Sequence, residues 1–243
     1  MIISVIVGST RQGRFSEKPS QWILQHLSAR TEIEARLLDL RDFPMPFFDQ
    51  PVPPAMPGRP PYADEVVQKW TAQIAASDGF VFVTPEYNFG PSAVLKNALD
   101  WVYPEWNRKA AAFVSYGGAS GVRSVQQLRE TAVELQLAPI RSSVHIPPAA
   151  LWAHFQGGDV DKSLAEMDQQ AGVMIDDLLW WTSALKTARH AWLKRDCTRE
   201  SGKKSVLAIG SNPWIGSATA KLVKGHEGAV NERQEGCREE AML

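Results

Sequence analysis

Cysteine is scarce in this chain: there are two, Cys197 and Cys237, both late in a sequence of 243 residues. Two late cysteines cannot build a disulfide framework, and a reducing cytoplasm is the expected setting. Net charge is nearly absent as well, −1 in total, which argues against nucleic acid or a membrane surface as partner. No apolar run approaches the ~18 residues of a membrane span. Met1 leads straight into the strand-like IISVIV, so a secretory leader is not expected. The five histidines lack metal-ligand spacing, and no metal is expected. The loop after the first apolar run matches neither G-x-x-x-x-G-K-[ST] nor G-x-G-x-x-G. A Walker loop is therefore excluded and a Rossmann dinucleotide site disfavoured.

What is present is a rhythm of short apolar runs and helix-period segments. Strands are expected at Ile2–Val7, Glu32–Leu40, Phe80–Val83, Ala110–Val114 and Arg141–Ile146. Helices are expected at Ser16–Ala29, Asp64–Ala76, Ser92–Val102 and Ser124–Leu137. The apolar runs are short and unbroken, as in strands covered on both faces. Alternation of this kind predicts a doubly wound α/β fold with a parallel five-stranded sheet and helices on both faces.

Three segments depart from the rhythm. Residues 44–61 hold eight of the sixteen prolines, so this stretch cannot be a regular helix or central strand and reads as an extended surface loop. From Leu164 to Leu185, apolar residues recur at steps of three and four, which predicts one long helix packing its stripe on the sheet. Residues 1–189 carry 17 basic and 20 acidic side chains, against 9 and 7 for residues 190–243. With its Lys, Arg, Glu, Gly and Ser, the second part is expected to be a largely disordered extension of a domain spanning 1–189.

Three loops carry the candidate chemistry. Gly8-Ser9-Thr10-Arg11-Gln12-Gly13-Arg14-Phe15-Ser16 leaves the first strand and enters a helix. Amides, hydroxyls and the helix N-terminus suit an anion there, and Arg11 and Arg14 can neutralise a phosphate. Pro85-Glu86-Tyr87-Asn88 leaves the third strand. In a sheet of order 2-1-3-4-5, the first and third strands flank the switch point where ligands sit, so these two loops would face one cleft. Ser115-Tyr116-Gly117-Gly118-Ala119-Ser120-Gly121 follows the fourth strand, and its glycines allow a flat ligand to approach the backbone.

The runs GSTRQGR, TPEYNFGPSAVLKNALDW and SYGGASGVRSVQQLR, in that order, resemble the three landmarks of the NADPH-dependent FMN reductase family. The resemblance covers about residues 1–189. It implies a flavodoxin-like fold, an FMN site and electron supply from NADPH or NADH. Ser9, Arg11, Arg14 and Ser16 would hold the phosphate. Pro85, Glu86, Tyr87 and Asn88 would run along the isoalloxazine ring, with backbone amides aimed at its polar edge. Gly117 and Gly118 would offer amides near the pyrimidine edge, with Ser115 at the same site. Ping-pong hydride transfer to a quinone or similar acceptor is the implied activity, and a flavin-bearing electron carrier is the alternative. No side chain is required as a catalytic acid, base or nucleophile. A homodimer is implied, or a homotetramer. Trp101, Tyr103 and Trp106 would be either core or partner-facing. Phe89 and the Ser120-Gly121 pair depart from the family's usual residues.

Overall fold

A computed structural model of the chain describes the backbone of residues 1–202 and side chains through Trp192. The strands are β1 (Ile2–Val7), β2 (Glu34–Asp39), β3 (Gly79–Pro85), β4 (Ala110–Tyr116) and β5 (Ala138–His145). The helices are α1 (Glu17–Ser28), α2 (Glu65–Ala76), α3 (Ala93–Asp100), α4 (Val122–Glu134), α5 (Pro148–Gln156), α6 (Val160–Ala165) and α7 (Asp168–Gly202), with a 3₁₀ turn at Pro104–Trp106. All neighbouring strands pair in parallel, and the sheet order is β2-β1-β3-β4-β5.

The strand sequences explain their places. GFVFVTP and AAAFVSY are buried at every residue in β3 and β4, which lie inside the sheet with helices on both faces. EARLLD and APIRSSVH mix polar and apolar residues and form the two edges. Side-chain alternation then splits the core in two. Ile3, Val5, Val81, Val83, Ala112 and Val114 face α1 and α7. Ile6, Phe80, Phe82, Ala111 and Phe113 face α2, α3 and α4. Trp101 and Trp106 are fully buried in the second layer, with Tyr103 half-buried against it.

One expectation is corrected. The stripe expected as one helix from Leu164 to Leu185 is broken: α6 ends at Ala165 and α7 begins at Asp168. Leu164, Met167, Ala171, Met174 and Leu178 do pack on the sheet, but Trp181 is 40% exposed. Helix α5 was unforeseen because it opens on Pro147-Pro148, and Pro148 occupies a first-turn position that tolerates proline. The chain divides into two units, Met1–Lys186 and Thr187–Leu243. Residues 187–202 of the second are helical. The extension expected to be largely disordered spans 190–243; of it, residues 190–202 are helical and 203–243 lie outside the described residues.

Candidate active site

Loops from the carboxyl ends of β1, β3 and β4 meet on one rim, and specific bonds stitch them together. Gly8 starts the first loop with its amide donating to the Val83 carbonyl at 2.8 Å. A Cβ on Gly8 would lie 2.8 Å from that oxygen, so only glycine lets the two strands stay paired to their ends. Ser92 caps α3, its Oγ accepting from the Leu95 amide at 3.2 Å, and the same hydroxyl donates to the Gly8 carbonyl. Across the cleft, Ser9 Oγ and the Tyr87 hydroxyl are 3.0 Å apart. The third contact joins β3 to β4: the Glu86 amide donates to the Tyr116 carbonyl at 2.9 Å. Gly117 sits against it, where a Cβ would come 3.0 Å from Glu86 Cβ.

The first loop is held from outside by arginines. Arg14 is only 4% exposed. Its Nη1 donates to Asp39 Oδ1 at 2.7 Å and to the Ser9 carbonyl, Nη2 pairs with Asp39 Oδ2, and Nε donates to Glu17 at 3.1 Å. The hydrogen bond with Asp39 raises the Arg14 pKa, against the opposing effect of burial. Burial pushes the Asp39 carboxyl up, but Arg14 and the Arg41 amide outweigh it and its pKa is lowered. Most of this fork is therefore spent inside the protein, where Arg14 braces the loop. Sequence reasoning missed Asp39 as the partner, although its place at the end of β2, next to β1 in the sheet, is the signal. Arg41 adds a second brace, donating to the Arg11 carbonyl at 2.7 Å and to Glu17 at 2.9 Å. Arg11 itself stays exposed on the loop, 5.6 Å from the centroid of the Phe155 ring.

The Pro-Glu-Tyr-Asn segment forms a tight turn. The Tyr87 amide donates to the Gly90 carbonyl at 2.9 Å and the Gly90 amide returns the bond at 3.0 Å. Asn88 and Phe89 both carry positive φ, 49° and 72°, the signature of a type I′ turn. The amides of Glu86 and Tyr87 serve the fold, and those of Asn88 and Phe89 donate to no described residue. The Glu86 carboxylate is also engaged, accepting from Arg123 Nε at 2.6 Å and from the Arg123 amide at 3.2 Å. Arg123 lies 3.8 Å over the Phe89 ring, which fixes that exposed side chain by cation–π contact. Pro85 remains the last residue of β3.

In the fourth-strand loop, Gly117 (φ 151°) and Gly121 (φ 76°) take conformations that side chains disfavour. The amides of Gly117 and Gly118 donate to no described residue, and space beside Gly118 is open to 4 Å. Ser115 is fully buried. Its Oγ donates to the Ser120 carbonyl at 2.8 Å and lies 2.8 Å from His145 Nδ1. With its proton given to Ser120, Ser115 accepts from Nδ1–H, and His145 Nε2 accepts from Ser143 Oγ at 2.9 Å. Ser115 is therefore a support beneath the loop. Burial first, then the nearby Arg129, lowers the His145 pKa, so the imidazole is neutral.

Two buried hydroxyls on the rim find no partner among the described residues: Ser16 Oγ and Tyr116 Oη. Burial pushes the Tyr116 pKa up to about 12, with nearby Ser16 and Ser9 offsetting only part of the effect. Ser16 also makes no side-chain cap to α1, but the Lys18 and Ser20 amides turn back to the Phe15 and Ser16 carbonyls and Pro19 has no N–H, so the hydroxyl and the Glu17 amide are what this helix end offers an anion. An orphan hydroxyl at a helix N-terminus, an exposed arginine, a half-exposed tyrosine and open backbone at Gly118 suit a phosphorylated flat ring. FMN fits this donor set.

Sheet order and loop placement define a flavodoxin-like protein with its ligand rim at the β1/β3 switch point. The chain belongs to the NADPH-dependent FMN reductase family, whose model matches residues 1–150. It is 40% identical over 147 residues to an NAD(P)H-dependent FMN reductase of Schizosaccharomyces pombe, covering 60% of this chain and 73% of that one. It is 37% identical over 120 residues to a probable NADPH:quinone oxidoreductase of Oryza sativa, covering 46% of this chain and 56% of that one. Among solved structures it is similar in fold to a flavoenzyme NAD(P)H:(acceptor) oxidoreductase of Paracoccus denitrificans, with a TM-score of 0.55, 23% identity, and coverage of 75% and 97% of the two chains.

Proposed function

We infer that the chain is an FMN-dependent NAD(P)H oxidoreductase that reduces a quinone or similar small acceptor. The observation that carries this reading is the closure of three loops on one rim by the Ser9–Tyr87 and Glu86–Tyr116 bonds. When bound, FMN supplies hydride chemistry between a nicotinamide donor and the acceptor. The protein's share is binding, orientation and charge. Ser9, Arg11, Ser16 and the Glu17 amide would hold the phosphate, while Arg14 holds the loop in shape through Asp39. Tyr87 would lie along the ring, with Pro85 stiffening the exit from β3. The Gly117 and Gly118 amides would meet the pyrimidine edge and favour negative charge there. Glu86, tied to Arg123 and to β4, positions the turn that carries Tyr87 and Asn88. No side chain on the rim is needed as an acid, base or nucleophile. Donor and acceptor use the same open side in turn, which is a ping-pong sequence.

The purified protein is expected to show flavin absorbance bands, and the FMN-loaded protein to oxidise NADPH with a quinone well above free FMN. Bound FMN with no rate above free FMN would overturn the enzyme reading in favour of an electron carrier. Parallel double-reciprocal lines for donor and acceptor would support the ping-pong order. A homodimer is the assembly we propose, as exposed Phe47, Met56 and Phe89 offer apolar surface to a second copy. No described helix is long and apolar enough to cross a membrane, and the cytoplasm is the compartment we propose.

A further inference from the structure

A second concave surface opens where the glycine loop ends. It encloses about 510 Å³ between α4 and the edge strand β5, and its walls include Val122, Gln126, Arg129, Arg141, Ser143 and His145. No carboxylate lines it. The alternation of β5 sends Arg141, Ser143 and His145 to this side, while Ile140 and Val144 go to the core. Arg129 is half-buried, with its fork donating to the Ile140 and Arg141 carbonyls and its face 5.3 Å from the Phe113 centroid. Neither Arg129 nor Arg141 has a carboxylate partner among the described residues. Elsewhere in the first unit, Arg14, Arg30, Arg36, Arg41, Arg59 and Arg123 each pair with an acid. Burial alone lowers the Arg129 pKa. A desolvated cation facing a groove without a counter-ion is incomplete, and an anion from outside completes it.

We propose that this groove binds the 2′-phosphate of NADPH, with Arg141 and Arg129 as the specificity-determining residues for NADPH over NADH. The inference rests on the oxidoreductase reading above. Its place follows from the chain: Val122, the first groove residue, comes directly after Gly121 of the loop that would meet the flavin. Arg129 lies seven residues on, about 10 Å along the helix at ~1.5 Å per residue, within the reach of an extended dinucleotide. The chemistry fits because a phosphate monoester accepts forked guanidinium bonds, whereas the hydroxyl of NADH gains little from two cations. Gln126 adds a neutral donor. His145, held neutral between Ser115 and Ser143, couples the groove floor to the glycine loop.

The test uses the FMN-loaded full chain. Arg141 is exposed on the edge strand, so Arg141→Gln is expected to leave flavin absorbance and thermal stability intact. It should raise KM for NADPH about tenfold while moving KM for NADH less than twofold, and weaken calorimetric binding of 2′,5′-ADP by a similar factor, the size of one charge-assisted bond. Arg141→Lys should recover part of the loss. Unchanged 2′,5′-ADP binding, or equal changes for both nicotinamides, would overturn the assignment and leave the arginines as guards of the sheet edge. Because 2′,5′-ADP binding needs no turnover, this result is separate from the oxidoreductase reading, which stands or falls on flavin bands and NADPH oxidation.

Discussion

At the scale of single residues, Ser16 separates binding from folding. Its buried hydroxyl finds no hydrogen-bond partner within reach among the described residues, so Ser16→Ala is expected to keep or slightly raise the melting temperature of the FMN-free protein. FMN affinity should fall by about five- to tenfold, the worth of one hydrogen bond to a charged group. Thermal melts and FMN titration monitored by fluorescence check both halves. Asp39 makes the opposite case, since its value lies in the loop's architecture. Its folded pKa is depressed, so its stabilisation is present above the unfolded value of about 3.9 and is lost as pH falls through the lower folded value. The melting temperature of the natural protein should therefore drop as pH goes from 5 towards 3. Asp39→Asn should start lower at pH 7, and the gap between the two should close in acid. A gap that stays constant with pH would contradict the Asp39–Arg14 account.

At the scale of elements, the turns were less legible than the strands. IISVIV and AAAFVSY announce buried parallel strands by their unbroken apolar character, and the loop carrying GSTRQGR had to follow the first of them. The stripe from Leu164 was misjudged because periodicity sees spacing only, and the Glu166-Met167 break between α6 and α7 keeps the three- and four-residue steps going. Arg14 shows the same limit: an arginine in a phosphate-type loop reads the same whether its fork points at a ligand or at Asp39. Only the pairing of β1 with β2, Val7 opposite Asp39, decides that. The loop after β4 supplies a direct test. A Cβ at Gly121 would lie 2.6 Å from Ser115 Cβ and 2.7 Å from the Tyr116 amide, at φ 76°. Gly121→Ala should cost about 2–3 kcal/mol, seen as a fall of roughly 5–10 °C in melting temperature, and weaken FMN binding with it. A variant that melts like the parent would show that the loop tolerates rearrangement.

At the scale of the whole molecule, every rim residue and both cores lie within Met1–Lys186. We propose a domain boundary at residue 189, and a chain ending there is expected to keep flavin absorbance, quinone reduction and a cooperative melt. Loss of FMN binding on truncation would assign a share of the site to the extension. The rim also has a consequence for what can approach it. Phe89 stands 63% exposed, yet Arg123 lies on its face and is itself tied to Glu86. The ring is a pinned ledge rather than a swinging gate. Acceptors would then be sorted by outline alone, so the rate ratio of a two-ring to a one-ring quinone should hold steady as solvent viscosity is raised.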